Sequence, residues 1–241
     1  MASDLTSNGH HDEAGHDRLE AAAPDSAEAE WAERRRQMVR AQLQGRDVTS
    51  KHVLEAMRKV PRHKFIPPDQ IPYAYEDRPL SIGMGQTISQ PYIVGLMTQC
   101  LDPQPGDKIL EIGCGSGYQA AVLAELVREV HSVEIVQPLA QAASERLQAM
   151  GYANIHVHAG DGYRGWPEEA PYDGIIVTAA PDHVPQLLKD QLAAGARLVI
   201  PVGEYYQRLQ IITRTHAGFV EESILDVRFV PMIGDADSLS R

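Results

Sequence analysis

The sequence predicts an α/β fold in which helices cover both faces of a mostly parallel sheet. Between residues 107 and 201, short apolar runs alternate with segments of helical periodicity. This alternation is typical of parallel strands joined by crossover helices. The chain has 241 residues and is 43% hydrophobic, which suffices for one domain with a well-filled core. Its two cysteines are too few for a disulfide framework or a zinc cage.

The negative charge is concentrated at the N-terminus. Residues 1–30 carry eight acidic side chains and one arginine, a net charge of −7, which leaves −4 of the total of −11 for the remaining chain. Residues 1–29 contain almost no large apolar side chain and are predicted to form a disordered acidic tail, because they cannot bury enough surface to offset the entropy of ordering. Residues 235–241 are predicted to form a C-terminal tail.

Several classes of protein are excluded by the absence of their signals. No run approaches the roughly 18 apolar residues of a transmembrane helix, and the N-terminus lacks the basic and apolar regions of a secretory signal. The basic run 34–36 has acidic neighbours and is interpreted as a solvated helix face rather than a nucleic-acid contact. We therefore expect a cytoplasmic monomer that binds neither membranes nor nucleic acids.

Residues 30–106 are predicted to form a helical extension that precedes the sheet and includes a long loop. Apolar residues recur at helical spacing in 31–45 and again in 50–60. Residues 61–90 are rich in Pro and Gly and resemble a loop. A loop of this length inside a compact domain is usually either functional or a sign that elements within it have been overlooked. A third helix is predicted over 91–100, because proline suits the first turn of a helix.

Residues 107–234 are predicted to contain the sheet. Its parallel strands are predicted at 108–112, 130–135, 155–158, 174–178 and 197–201. The helices between them are predicted at 118–127, 138–150 and 184–192. No helix separates the last two apolar segments, 209–214 and 223–230, so they are predicted to be antiparallel strands that complete a seven-stranded sheet.

The sharpest motif is a G-x-G-x-G sequence formed by Gly113, Gly115 and Gly117 between the first strand and the following helix. Glycines at this position allow a sharp turn and close approach of a ligand. A dinucleotide fingerprint would be G-x-G-x-x-G, but Tyr118 occupies the place of its third glycine. Glu111 would oppose a phosphate and suits a ligand with an amino group. The motif resembles the first motif of S-adenosylmethionine-dependent methyltransferases, although the glycines alone could also form a purely structural turn.

Two acidic positions follow the next two strands. Glu134 ends the second strand and could accept hydrogen bonds from both ribose hydroxyls of an adenosine. Asp161 could accept from an adenine amine, with Gly162 leaving room for the ring. Taken singly, the first could be a helix cap or a solvated charge and the second an Asx turn. Their order after successive strands favours an adenosine site.

The uncharged, hydroxyl-rich segment 81–92 reads Ser-Ile-Gly-Met-Gly-Gln-Thr-Ile-Ser-Gln-Pro-Tyr. Together with the glycine motif and with 168–173, it resembles the protein-L-isoaspartate (D-aspartate) O-methyltransferase family, over roughly residues 32–234. Tyr92 follows Ser-Gln-Pro where some members carry a nearby histidine, so the resemblance is to the bacterial type. It implies a Rossmann-like class I S-adenosylmethionine-dependent methyltransferase fold.

The resemblance also implies a reaction. S-adenosyl-L-methionine would methylate the α-carboxylate of L-isoaspartyl residues in damaged proteins, and the ester would collapse to a succinimide that hydrolyses partly to aspartate. A carboxylate is already ionised at neutral pH, so no strong base is needed, and the sulfonium leaves without help from a metal. Catalysis is then expected from alignment and hydrogen bonding.

The family motif implies that Ser89 is the catalytic residue, whose hydroxyl would donate to the acceptor carboxylate. A simpler alternative makes Ser89 only the N-cap of the helix that follows. The remaining residues expected to contact the acceptor are Thr87, Ile88, Gln90, Thr178 and Ala179. Two other functions stay open: a methyltransferase with another small-molecule or macromolecular acceptor, and a non-catalytic module that has kept the adenosine pocket.

Overall fold

The computed structural model of the protein describes Met1 and residues 26–234. The first helix, α1 (Ser26–Met38), begins four residues inside the segment that was expected to be disordered. The rest of that N-terminal tail and the expected C-terminal tail, 235–241, lie outside the described residues.

Helices form the N-terminal extension, as predicted. α1 continues into a wider π-helical segment, Val39–Gln44, and is followed by α2 (Lys51–Lys59) and α3 (Pro91–Leu101). The Ser50 side chain caps α2 by accepting a hydrogen bond from a backbone N–H. These helices pack through side chains that are 0–1% exposed, namely Met38, Val39, Leu43, Met57 and Met97.

Residues 61–90 are more ordered than the predicted loop. They contain two 3-10 turns, Arg62–Phe65 and Pro68–Tyr73. They also contain an antiparallel hairpin of β1 (Leu80–Gly83) and β2 (Gln86–Ile88). The segment thus contains overlooked elements, one of the two alternatives for so long a loop. Its strands of four and three residues are too short to show an alternating pattern.

A seven-stranded sheet forms the core and confirms the predicted fold class. Its strand order is β5-β4-β3-β6-β7-β8-β9. The first five of these strands are parallel to one another, β8 is antiparallel to β7, and β9 is antiparallel to β8. The strands are β3 (Lys108–Ile112), β4 (Glu129–Glu134), β5 (Ile155–Ala159), β6 (Tyr172–Val177), β7 (Leu192–Val202), β8 (Gln207–Thr215) and β9 (Gly218–Val227). The helices between them are α4 (Tyr118–Ala124), α5 (Gln137–Ala149) and α6 (Gln186–Asp190).

Apolar layers bury both faces of the sheet. On β3, Ile109 contributes to the layer beneath α3, α4 and the N-terminal extension, whereas its neighbour Leu110 contributes to the opposite layer with Leu188 of α6. Both β3 side chains are 0% exposed, as expected for a central strand with both faces covered. Between β5 and β6 the described chain has only 3-10 turns in place of a helix.

Within the described residues, no helix combines the length and the apolar character needed to cross a membrane.

Candidate active site

The glycine motif turns the chain from β3 into α4. Gly113, Gly115 and Gly117 have φ angles of 93°, 52° and 85°, a region that residues with a side chain rarely adopt. The Gly113 N–H donates to the Val133 carbonyl at 2.8 Å, which fixes the start of the turn to the neighbouring strand. The predicted loop therefore forms at the carboxyl end of the parallel strands, where open α/β sheets bind ligands.

Thr178, at the end of β6, anchors this glycine loop from its other side. Its hydroxyl lies 2.7 Å from the Gly113 carbonyl and 3.1 Å from the Ile112 carbonyl. A Cβ atom on Gly113 would overlap this hydroxyl. Thr178 was expected to bind the acceptor; in the structure its hydroxyl holds the loop, and its side chain also lines both cavities described below.

The Glu134 carboxylate is fixed at the edge of the loop. Its Oε2 accepts from the Gly115 N–H at 2.8 Å and its Oε1 from the Val136 N–H at 2.9 Å. The residue is 5% exposed, yet it lines the cavity beside the loop. Because each carboxylate oxygen can accept more than one hydrogen bond, both oxygens retain capacity for a ligand.

Glu111 lies behind the loop and is not among the residues that line the cavity. It is 0% exposed. The Ser132 hydroxyl donates to its Oε2, and Oε1 has no hydrogen-bond partner among the described residues. Burial, with the nearby Glu134 charge, raises the pKa of Glu111 to about 8 despite the Ser132 hydrogen bond. The structure thus places this side chain in the interior against Ser132 of β4, and not in the cavity wall, where its predicted role in cofactor binding would put it.

An inner cavity lies against the glycine loop at the carboxyl end of the sheet. Seven of the residues predicted to form the site line it: Thr87, Gly113, Gly115, Glu134, Gly162, Thr178 and Ala179. The other lining residues are Gln86, Ile112, Val133, Ile135, Val230, Pro231, Met232 and Ile233. The structure therefore brings together most of the predicted cofactor-binding residues in one cavity, with residues from the start of β2 and from the segment after β9.

Asp161 stands beside this cavity, at the turn after β5. Its Oδ1 accepts from the Tyr163 N–H at 3.0 Å, so the Asx turn that the sequence allowed is formed. A Cβ on the adjacent Gly162 would collide with Ile112 and Met232. Gly162 therefore brings the backbone close to the cavity wall, as its predicted role requires.

An outer groove adjoins the inner cavity and contains Ser89. The two share four residues, Thr87, Thr178, Val230 and Pro231. The other residues lining the groove are Arg46, Pro79, Gln90, Tyr92, Ile93, Leu225, Asp226, Val227, Arg228 and Phe229. A ligand in the groove would therefore lie next to a ligand in the inner cavity, because the same four residues border both.

The capping alternative for Ser89 is wrong. The N-cap of α3 is Gln90, and no side chain makes a capping hydrogen bond there. The Ser89 hydroxyl has no hydrogen-bond partner in the described part of the chain, and the half-buried residue lines the groove. Ile88, in contrast, is 4% exposed and pairs with Leu80, so it belongs to the core instead of the groove.

The segment after β9 closes one side of both cavities. The Ala180 N–H donates to the Val230 carbonyl at 2.9 Å, and the Met232 N–H donates to the Ala180 carbonyl at 2.8 Å. These two hydrogen bonds, with a bridge between Ala180 and Pro231, attach the segment to the end of β6.

Sequence reasoning missed several lining residues. Gln86 and Ile135 line the inner cavity, and Arg46 lines the groove with its guanidinium 3.3 Å from the centre of the Tyr92 ring. An apolar residue directly after the strand-end Glu134 was a usable signal, since Ile135 remains 39% exposed. Arg46 carried no such signal, because only the folded chain brings it to Tyr92.

A G-x-G-x-G loop after the first parallel strand, a carboxylate at the end of the second and a cavity beside them are together the arrangement expected of class I S-adenosylmethionine-dependent methyltransferases. The model of the family described as protein-L-isoaspartate(D-aspartate) O-methyltransferase matches residues 33–237. The chain belongs to this family.

Individual relatives agree with the family match. The chain is 52% identical over 228 residues to the protein-L-isoaspartate O-methyltransferase of Synechococcus sp. (strain JA-2-3B'a(2-13)), covering 91% of this chain and 93% of the relative. It is 55% identical over 197 residues to that of Gloeobacter violaceus, covering 81% and 96%.

Two solved structures share the fold. A protein-L-isoaspartate O-methyltransferase is 30% identical, with a TM-score of 0.76, and the match covers 84% of this chain and 66% of that one. A Plasmodium falciparum protein described as the same type of enzyme, in complex with S-adenosyl-L-homocysteine, is 26% identical, with a TM-score of 0.72 and coverage of 83% and 98%.

Proposed function

We propose that this chain transfers the methyl group of S-adenosyl-L-methionine to the α-carboxylate of L-isoaspartyl residues in damaged proteins, which starts their repair through a succinimide. The observation that carries the proposal is the pair of connected cavities. The inner one has the features of an adenosine site, and the outer one contains the family's Ser89 segment. Membership of the protein-L-isoaspartate O-methyltransferase family supports the same reaction.

In this proposal the inner cavity holds the methyl donor. Glu134 accepts from the ribose hydroxyls, since its two oxygens are already oriented by backbone N–H groups. Gly113 and Gly115 bring the backbone close to the amino-acid part of the donor. Asp161 and Gly162 receive the adenine, and Glu111 supports the loop from behind as a positioning residue.

The outer groove holds the acceptor. The unpaired Ser89 hydroxyl is free to donate to the carboxylate, while Thr87, Gln90 and Ala179 border the path between the two ligands. A carboxylate oxygen attacks the methyl carbon, the carbon–sulfur bond breaks, and its electron pair returns to sulfur. No proton is transferred in this step, so the site needs a hydrogen-bond donor and alignment in place of a base.

The decisive experiment compares two peptides that differ only in an Asp and an isoAsp residue, with labelled S-adenosyl-L-methionine. We expect strong preference for the isoAsp peptide and a base-labile label, because a carboxyl ester hydrolyses where an N-methyl group does not. Equal labelling of both peptides, or of neither, would falsify the assignment of the acceptor. A base-stable label would favour a methyltransferase with another type of acceptor.

We further propose that the enzyme acts as a cytoplasmic monomer on isoaspartyl proteins and peptides and does not bind nucleic acids or membranes. The net charge of −11 supports the absence of nucleic-acid binding, because it disfavours contact with a phosphate backbone. The 107–234 core is proposed to carry the donor site, with the extension before it contributing the acceptor segment. Light scattering after gel filtration measures the mass of the protein in solution. The mass of a single chain is expected, and twice that mass would contradict the proposal of a monomer.

A further inference from the structure

A histidine pair lies on the open edge of the sheet, away from the two cavities. His131 on β4 is directly opposite His156 on β5, and their ring centres are 5.1 Å apart. Glu129 precedes His131 by two residues on the same strand, so its side chain projects from the same face of the sheet. No helix connects β5 to β6, so no crossover helix covers this part of the face.

The three side chains bring their donor atoms together. Glu129 Oε1 lies 3.1 Å from His131 Nε2 and 3.3 Å from His156 Nε2. The three donor atoms all lie within 4.8 Å of one another. In a tetrahedral zinc site, bonds of about 2.0–2.1 Å separate neighbouring ligand atoms by about 3.3 Å. Two of the three separations already have this value.

His131 is a buried side chain with uncommitted nitrogen atoms. It is 3% exposed, and neither ring nitrogen makes a hydrogen bond within the described chain, although Nε2 lies at ion-pair distance from Glu129. Buried polar atoms normally have partners. The rings of Trp166 and Tyr172 pack against the imidazole in edge geometry, with ring centres 5.0 and 5.9 Å from its centre. These aromatic rings provide no polar partner for the two nitrogen atoms.

The carboxylate is oriented toward the histidines. Arg128 Nη1 lies 3.4 Å from Glu129 Oε2, which leaves Oε1 facing the two rings. His156, with a side chain that is 47% exposed, leaves one side of the cluster open to solvent. Two histidines and one carboxylate, with a fourth position open to water, are a common set of ligands for zinc.

We propose that Glu129, His131 and His156 bind one zinc-class divalent ion, with water in the fourth position. The ion would join β4 to the edge strand β5 and so stabilise that edge of the sheet. It would take no part in methyl transfer, because His131 is three residues, or about 10 Å, from Glu134 along the strand. The expectation that the reaction needs no metal is unaffected.

The experiment uses the full chain in which His10, His11 and His16 are replaced by Asn, so that these histidines cannot contribute to the titration. Zinc at about 100 times its Kd should raise the Tm by roughly 5–10 °C, and cobalt should give the visible absorption of a tetrahedral site at one equivalent. His156→Asn should abolish both signals and Glu129→Gln should weaken both, while methyl transfer by each variant remains unchanged in the presence of a chelator.

The matched control is His52→Asn, which removes an exposed histidine from α2 and should retain the full Tm shift and the cobalt spectrum. A Tm shift of the same size in His156→Asn would overturn the proposal, because binding would then occur elsewhere. Absence of stoichiometric zinc binding in the parent chain would also overturn it, and would leave an unmetallated carboxylate–histidine cluster.

Discussion

Replacing Ser89 by Ala separates the catalytic role of its hydroxyl from any structural role. The hydroxyl has no partner within the described chain and does not cap α3, so its removal should leave the Tm almost unchanged. A hydrogen bond from this hydroxyl to the acceptor carboxylate is worth about 1.5–3 kcal/mol. Its loss should therefore lower kcat/KM for an isoAsp peptide by about 10- to 150-fold.

Ser50→Ala is the matched control, because Ser50 does cap a helix. This variant should lose about 1 kcal/mol of stability, or about 2–4 °C in Tm, and keep its kcat/KM. Steady-state kinetics with the isoAsp peptide, thermal unfolding and calorimetric titration of the methyl donor measure the three quantities. The reasoning is refuted if Ser89→Ala retains full kcat/KM, or if its loss of activity is matched by an equal loss of donor affinity.

Three further predictions concern the glycine loop and the carboxylates around it. In Glu134→Gln an NH2 group replaces one carboxylate oxygen and faces a backbone N–H group. Calorimetry should therefore show the Kd of the methyl donor raised by about 10- to 150-fold. An unchanged Kd would mean that Glu134 does not bind the ribose. Gly113→Ala should lose about 1–3 kcal/mol of stability and much of its donor affinity, because its φ of 93° is strained for alanine and its Cβ overlaps the Thr178 hydroxyl. Gly106→Ala, with no neighbouring atom within 4 Å, is the control and should behave as the parent in the same assays. The pKa of Glu111 is raised from 4.5 to about 8 in the folded protein. Between these two values the folded protein retains a proton that the unfolded chain loses. The free energy of unfolding should therefore fall as pH rises from about 5 to 8. Denaturant titrations should show a weaker decrease in Glu111→Gln, and an equal slope in both proteins would contradict the burial argument.

The parallel strands and the glycine loop were predictable because their signals are local. The run 108–112 is apolar except for Lys108 at its start and Glu111, and the glycines that follow it favour a tight turn. Periodicity alone cannot state which face of a doubly covered strand a residue occupies. Glu111 therefore gave no sign that its carboxylate would meet Ser132 behind the loop.

The remaining misses depend on short elements and on contacts between distant segments. The β1–β2 hairpin was read as loop because its tip, with Gly83, Met84 and Gly85 all at positive φ, leaves too few strand residues to form a pattern. The cap of α3 falls on Gln90 instead of Ser89, a shift of one residue that sequence reasoning does not resolve. Contacts between Arg46 and Tyr92 depend on tertiary packing alone.

The path of the chain after β9 has a consequence for proteins joined to this one. β9 runs parallel to β6, so its end and the segment 230–233 emerge at the edge of the sheet that carries both cavities. Any peptide attached a few residues beyond Gly234 is thus tethered beside the acceptor groove. A peptide held near a site by a tether that spans the distance reaches an effective concentration in the millimolar range. A C-terminal fusion that contains an isoaspartyl residue is therefore expected to be methylated within the same molecule, ahead of a free peptide at micromolar concentration.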